Sequence, residues 1–311
     1  KWLLSNLNKL ESKSGFVNIL GVPNSGKSTL INKLVGKKVS IVSHKVQTTR
    51  FCIRGICTYS FEDLSKSQII LIDTPGIFSA KRRLDKAMVS AAWSELKHSD
   101  KVIFIHDVSK SIENNSLNVM KEIFKIKEKV ILVLNKIDLL PKEELLKQIS
   151  HFKKLYDFEK VFLVSAKNGS GCGQLIEFLA MSMPTHPLMY DDNTISDLPL
   201  SILASEITRE KLFKNLNKEL PYNLMVETEK WDIRSDKSIN IQQTIFVNKS
   251  SHKPIILGKA GQNIKRICIL ARKDLEKLLD CEIHLYLFVK FKKNWMEDPS
   301  KYSSIGLNYN A

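Results

Sequence analysis

The sequence predicts a two-part α/β molecule, with a mostly parallel sheet covered by helices on both faces followed by a smaller α+β module. Three observations carry this. Five short apolar runs, "GFVNILG", "SQIILID", "KVIFIHDV", "KVILVLNK" and "KVFLVSAK", alternate with stretches long enough for helices over residues 15–183; strands joined by such crossovers pair in parallel and are buried on both faces. A break rich in proline and acid, "MPTHPLMYDDNTISDLP", interrupts the pattern. Beyond it the chain reads helix, strand, strand, helix, strand, enough for a three-stranded sheet with helices on one face. The expected boundaries are an N-terminal extension at 1–14, a first domain at 15–183, a linker at 184–198, a second domain at 199–295 and a tail at 296–311.

A chain of 311 residues that is 43% hydrophobic has ample core for two domains. No apolar run approaches the ~20 residues of a membrane-spanning helix, and "WLLSNLNKLES" is too short and mixed for a secretory signal. The first residue is Lys1 rather than Met, so the encoded start is left open. Five scattered cysteines with no C-x-x-C pair fit a reduced, cytoplasmic protein. The net charge of +15 points to a polyanionic partner, nucleic acid or an acidic membrane surface. Residues 249–293 alone hold eleven Lys or Arg against four Asp or Glu. The scattered histidines and adjacent carboxylates such as Glu143 and Glu144 form no ligand or acid–base pattern.

The segment "GVPNSGKST", Gly21, Val22, Pro23, Asn24, Ser25, Gly26, Lys27, Ser28 and Thr29, fits G-x-x-x-x-G-K-[ST] and lies between an expected strand and helix. Its glycines let backbone N–H groups turn toward a polyphosphate, Lys27 reaches the outer phosphates, and Ser28 supplies a hydroxyl to Mg²⁺. "DTPGI" follows at Asp73, Thr74, Pro75, Gly76 and Ile77. An aspartate at a strand end beside such a loop holds Mg²⁺ through water, and the Gly76 N–H meets a terminal phosphate. In "NKID", Asn135, Lys136, Ile137 and Asp138, the Asp138 carboxylate accepts the two adjacent donors of guanine, which adenine lacks. "SAK", at Ser165, Ala166 and Lys167, follows a fifth strand and offers backbone to the guanine carbonyl. Four motifs in this order at strand ends indicate GTP and GDP as ligands, with Mg²⁺.

In the second half, "ILGKAGQNIKRI" carries a G-x-x-G loop, Gly258, Lys259, Ala260 and Gly261, opening a basic helix. Two close glycines admit a nucleic-acid backbone, and flanking apolar surface receives unstacked bases. Ile256, Gly258, Lys259, Ala260, Gly261, Ile264, Lys265 and Arg266 are the expected RNA contacts. The layout is that of a K-homology (KH) domain of type II. The aromatics of "HLYLFVKFKKNW" alternate at strand period, so most are expected in the core.

The motif set resembles the translation-factor-related GTPases, and "QTTR" at residues 47–50 narrows it. In that group the segment before "TTR" is the first switch. Thr49 is taken as the Mg²⁺ ligand of the GTP state because related switch motifs share the threonine beside the arginine, with Thr48 the alternative. The metal set is then Ser28, Thr49 and Asp73, and the catalytic set Lys27, Thr49 and Gly76. The second switch spans 77–85. Ile77 stands where Ras-like proteins place a water-orienting glutamine, so unaided turnover is expected on the order of minutes or longer, with K⁺ or an outside group as a candidate helper.

A P-loop GTPase domain followed by a KH domain, with "LPYNLMVE", "ARKDLEKLL" and a terminal "SIGLNY", resembles the Era family of ribosome-assembly GTPases over nearly the whole chain. The resemblance implies binding of the 3′ end of small-subunit (16S) ribosomal RNA and action in 30S assembly by a monomer, cytoplasmic or peripheral on the cytoplasmic face of the inner membrane. The family usually has valine or alanine at Ser25. Two other readings are a constitutive RNA-binding protein with a structural nucleotide domain, opposed by the intact Lys27, Ser28, Asp73 and Asp138, and a tRNA-modification-related GTPase, opposed by the KH module.

Overall fold

The structure, a computed structural model, describes residues 12–310 apart from 44, 46, 47, 78, 79, 81, 218, 219, 304 and 305. Most of the expected extension at 1–14, Gln47 of the first switch and three residues of the second switch therefore lie outside the described residues. Contacts divide the chain into two compact units. One takes in the chain up to Val39, Phe51–Ser79 and Val89–Asp197; the other comprises Ser40–Arg50, Ala80–Met88 and the chain from Leu198 onward.

The first unit is built on a six-stranded sheet. In chain order its elements are β1 (Lys13–Leu20), α1 (Lys27–Val35), β2 (Ile53–Ser60), β3 (Lys66–Asp73), α2 (Arg83–His98, whose first residues group with the second unit), β4 (Lys101–Asp107), α3 (Asn114–Ile126), β5 (Ile131–Asn135), α4 (Lys142–Leu155), β6 (Lys160–Val164) and α5 (Cys172–Ser182). The strand order is β2-β3-β1-β4-β5-β6. All neighbours run parallel except β2, which pairs antiparallel with β3 from Ile53 opposite Asp73 to Ser60 opposite Lys66. The five apolar runs are β1, β3, β4, β5 and β6. β5 is buried at every position, as a strand with helices on both faces must be. One core cluster joins β1, β3, α1 and α5 through Val17, Leu71, Ile31 and Leu179; the other joins β4, β5, α3 and α4 through Phe104, Leu132, Met120 and Phe152. Because β1 lies between β3 and β4, the loops leaving β1 and β3 emerge together at the sheet's C-terminal edge, where open α/β sheets bind ligands.

Two sequence expectations change here. The edge strand β2, "IRGICTYS", has a weak apolar alternation that hid it. The stretch expected as a linker, 184–198, is packed chain of the first unit up to Asp197. The amide of Gln68 accepts from the backbone N–H of Met189 and Tyr190, both at 2.9 Å, and donates to Tyr190 O at 2.9 Å. Ser14 Oγ donates to Pro187 O at 2.7 Å, and Arg54 pairs with Asp197 at 3.2 Å. Prolines and polar residues signal a helix break, and side-chain amides on a neighbouring strand then satisfy the irregular backbone.

The second unit contains α6 (Leu200–Asn215), β7 (Leu224–Ile233), β8 (Ile239–Val247), α7 (His252–Leu257), α8 (Gln262–Leu279), β9 (Ile283–Phe291) and α9 (Pro299–Ser303). β8 is central, antiparallel to β7 and parallel to β9. Apolar residues of α6 and α8, among them Ile207, Leu212, Ile267 and Leu275, pack with Ile241, Ile245, Ile283 and Val289 of the sheet. Tyr286 and Phe288 on the outward face of β9, and Phe291 at its end, are 47%, 48% and 49% exposed, while Leu285 and Val289 fill the inner face. The expectation that most of these aromatics are core is therefore corrected. Period-2 alternation marks two faces without saying which is buried. Trp295 is buried, and so are Tyr302 and Leu307 of the expected tail.

Candidate functional site

The phosphate loop joins the end of β1 to the start of α1. Gly26, just before the helix, has φ 102°, and a Cβ there would stand 2.1 Å from Asn135 Nδ2, so only glycine allows both the turn and the approach. That asparagine, the last residue of β5, organises the site. Its Nδ2 donates to Ser25 O at 2.9 Å and its Oδ1 accepts from Ala166 N at 3.0 Å. One buried side chain thus ties the first, third and fourth motifs together.

Lys136, with φ 67°, reaches back across the loop. Its ammonium donates to Asn24 O at 3.2 Å and to Asp107 Oδ2 at 2.5 Å. Burial pushes the Asp107 carboxyl up, but the hydrogen bonds from Lys136 and Ser109 outweigh it and hold the group below its usual range. Asp107 was missed in the sequence, where "HDVS" at the end of β4 was its signal.

Lys27 is buried, its ammonium donating to Gly21 O at 3.1 Å and Val22 O at 3.0 Å. Burial pushes it down to about 8, against the opposing pull of Asp73. A desolvated ammonium curled onto its own loop carbonyls fits an anionic polyphosphate that replaces them. Ser28 Oγ donates to Asp73 Oδ2 at 2.7 Å. A hydroxyl and a carboxylate in contact at a strand end form the hard oxygen donor set that Mg²⁺ takes. Thr74 Oγ1 donates to Ile19 O at 2.8 Å, and Ile77 N donates to Gly21 O at 3.4 Å, so the "DTPGI" turn lies on the phosphate loop, with Gly76 against Pro23. Ile77 is 7% exposed; an apolar, buried side chain has nothing to offer a water.

At the base end, Ser165 Oγ donates to Asp138 Oδ1 at 2.6 Å and Ser165 is fully buried. This bond orients a carboxylate that is otherwise exposed, with Ile137 beside it and Lys167 exposed on the adjoining loop. The first unit thus brings together every predicted nucleotide contact from Gly21 to Lys167.

Thr49 belongs to the segment Ser40–Arg50, which groups with the second unit. Thr48 donates its hydroxyl to Lys45 O at 2.7 Å. Arg50 is buried and donates to Leu224 O at 2.7 Å, with its guanidinium 5.7 Å from the Trp295 ring centre. Burial, and then Arg209 nearby, push Arg50 down to about 9.

The G-x-x-G loop connects α7 to α8. Gly258 has φ 72° and ψ 177°, a region only glycine occupies readily, and Ala260 and Gly261 are left-handed at φ 50° and 73°. Lys259, Ala260, Lys265 and Arg266 are exposed, Gly261 and Ile264 half-buried. Ile256 is fully buried in the core. Its place among the expected RNA contacts is corrected: it supports the loop from beneath, and its neighbour Ile255, 55% exposed, is the apolar surface. Asn263, not singled out in the sequence, donates to Ile255 O at 3.2 Å and Ile256 O at 3.1 Å, closing the end of α7.

Residues 16–136 match the 50S ribosome-binding GTPase family and residues 219–296 the KH domain family. The chain is 46% identical to the GTPase Era of Rhizobium meliloti (strain 1021) over 96% of its length and 94% of that protein's. The Era of Agrobacterium fabrum (strain C58) is likewise 46% identical, over 97% and 94%. The chain belongs to the Era family of GTPases. Among solved Era structures, an Aquifex aeolicus Era variant bound to GDP and AlF4⁻ matches with TM-score 0.88 and 33% identity, over 94% of this chain and 99% of that one. An Era complex with MgGDPNP and nucleotides 1506–1542 of 16S ribosomal RNA matches equally well, at 33% identity over 95% and 99%. The chain therefore pairs a P-loop GTPase domain with a KH domain, as its motifs imply. No helix among the described residues is long and apolar enough to cross a membrane.

Proposed function

We propose that this protein is a GTP-hydrolysing switch that binds the 3′ end of small-subunit ribosomal RNA and serves 30S subunit assembly. The observation that carries the reading is the knit of three guanine-nucleotide motifs around Asn135, with the fourth joined to them by Ser28 on Asp73, in one chain with an exposed, basic G-x-x-G loop. The two solved Era relatives, one holding MgGDPNP and 16S RNA, support the partner. It works as a monomer in the cytoplasm, with peripheral contact at the cytoplasmic face of the inner membrane.

The residues divide the work. Asp138, oriented by Ser165, selects guanine. Lys27 exchanges its loop carbonyls for the outer phosphates, and the N–H groups of the loop and of Gly76 face the terminal phosphate. Ser28, Asp73 and Thr49 would hold Mg²⁺, which when bound neutralises charge developing on the transferred phosphoryl group. Ile77 places no side-chain donor or acceptor at the attacking water, so hydrolysis is slow until an outside group helps. On the second unit, Lys259, Lys265 and Arg266 meet backbone phosphates while the exposed Ile255 surface meets a base.

The test is RNA affinity for a single-stranded oligonucleotide matching the 16S 3′ end, with GDP and with GDPNP, beside Lys27→Ala. Tighter binding with GDPNP that Lys27→Ala removes supports the switch. Equal affinity in both nucleotide states supports the constitutive RNA-binding reading instead.

A further inference from the structure

The contacts proposed at the G-x-x-G loop leave the far face of the second unit's sheet unused. β9 is an edge strand, and from Ile283 to Lys293 the chain carries three lysines and no acid. Leu285, Leu287 and Val289 belong to the core shared with α6 and α8, so the alternate residues point to the other side of the sheet. Tyr286 and Phe288 are therefore neighbours on one open face, opposite Gln242 and Thr244 of β8. Phe246, another ring of this face, already has the Lys301 ammonium 4.7 Å from its centre. Among the described residues neither Tyr286 nor Phe288 has a ring or a cation against it.

Stability alone is a poor account of these two rings. Each leaves about half its surface in water and forgoes much of the gain that burying an aromatic side chain brings. Apolar side chains on an edge strand are also a liability, because the unpaired backbone invites further strands. The acids of this face, Glu227 and Glu229, lie across the sheet on β7, where Lys301 and Lys290 hold them at 2.5 and 3.1 Å. The β9 margin is left with its rings and, just past the strand's end, the exposed Lys293. Flat rings on an acid-free margin suit nucleobases, which stack on any aromatic side chain while their phosphates find the lysines. Successive outward residues of a strand stand about 6.6 Å apart, roughly twice the 3.4 Å rise per base of a stacked strand. Two such rings take bases that have been pulled apart, as in single-stranded RNA.

We infer that Tyr286 and Phe288 form a stacking subsite for single-stranded RNA, taking bases that flank the segment held by the G-x-x-G loop. This rests on the reading of the second unit as an RNA-binding module. The two subsites belong to one body: Ile256 of α7, the helix that leads into the loop, and Val289 of β9 share a core cluster. A G-x-x-G loop clamps about four nucleotides, so only a longer RNA passes round the β9 edge to the far face. The loop then fixes the backbone, and the rings add affinity that depends on length more than on sequence.

The experiment measures the affinity of the whole chain for single-stranded RNAs matching the 16S 3′ end, from about four nucleotides to about three times that length. It does so beside Tyr286→Ala, Phe288→Ala, Phe288→Leu, which keeps apolar bulk without a ring, and Tyr286→Phe, which keeps the ring. The expected result is that the two alanine variants and Phe288→Leu each weaken the longest RNA by about fivefold or more and leave the shortest where it was. The slope of affinity against salt should not change, because stacking releases no counterions. Tyr286→Phe should bind as the unaltered chain does. A loss that is equal at every length, with a lower thermal midpoint, means that the rings only support the module and overturns the inference. So does unchanged affinity for the longest RNA in all four variants, which leaves the G-x-x-G reading standing. Loss of binding to phosphatidylglycerol vesicles with RNA affinity intact would make the face a lipid contact and overturn it as well. If the unaltered chain binds none of these RNAs, the RNA reading falls and the subsite falls with it.

Discussion

The nucleotide site and the G-x-x-G loop are built in opposite ways. In the first, the recognising groups are already bonded to one another: Asn135 to two loops, Lys136 to Asp107, Ser28 to Asp73 and Ser165 to Asp138. In the second, Lys259 on the loop and Lys265 and Arg266 on the first turns of α8 stand in solvent, and the loop is shaped by its backbone angles and by Asn263. A knitted site fixes one ligand by geometry and transmits any disturbance across all four motifs. A solvated site tracks a flexible polymer, and each of its groups acts nearly alone.

The largest expected effect breaks the knit. Asn135→Ala strands the carbonyl of Ser25 and the N–H of Ala166, and two orphaned buried groups cost about 2–4 kcal/mol, read as a lower urea midpoint at unchanged slope. Nucleotide binding should be lost with it. Combined with Ser165→Ala, the effects should depart from additivity, because both act on one network. Additive effects would show that the motifs are independent after all.

Gly258→Ala tests the other half. The substitution forces a side chain into a strained region, at about 1–3 kcal/mol, with its Cβ 2.7 Å from that of Asn263. RNA affinity should fall by about tenfold or more while GDP affinity stays as it was. Gly261→Ala, with open space around the added Cβ, should cost less, and a reversed ranking would mean that the loop is not held by Asn263.

Both predictions show how legible the two regions were. The motifs were readable because each demands a residue type at a fixed spacing, and the five parallel strands because each is continuously apolar. Asp107 acts through Lys136, well along the chain, and Asn263 acts on the backbone carbonyls of Ile255 and Ile256, neither of which motif spacing reveals. Arg209 reads in sequence as one more surface charge on "ITREKLFKN", since nothing local says that Thr48, 161 positions earlier, covers it. Ile256 was misplaced for a related reason: proximity to a functional loop says nothing about which side of a short helix a residue takes.

A pH titration sharpens the comparison further. Lys27 is lowered from 10.5 to about 8 by burial, so between those values the unfolded chain binds more protons than the folded one, and the stability of the nucleotide-free protein rises with pH. Binding works the other way. A polyphosphate favours the charged ammonium, so GDP affinity should be full below pH 8 and decline as pH rises above it, with proton uptake on binding. RNA affinity at the G-x-x-G loop should not bend at this pH. Flat GDP affinity from pH 7 to 9.5 would mean that Lys27 stays charged in the free site.

The smallest effect falls at Ser25. Ser25 is fully buried and its Oγ finds no hydrogen-bond partner, although its carbonyl anchors Asn135. Ser25→Ala keeps the anchoring carbonyl and removes only the stranded hydroxyl, so it should stabilise the protein by up to about 1 kcal/mol and leave the ratio of GTP-analogue to GDP affinity unmoved. Thermal unfolding with and without GDP separates two cases. A gain of the same size in both means that the hydroxyl is idle whatever the site holds. A gain that vanishes with GDP means that Ser25 spends its hydroxyl on the nucleotide, and the knitted site then has one recognising group that waits for its ligand as those of the G-x-x-G loop do.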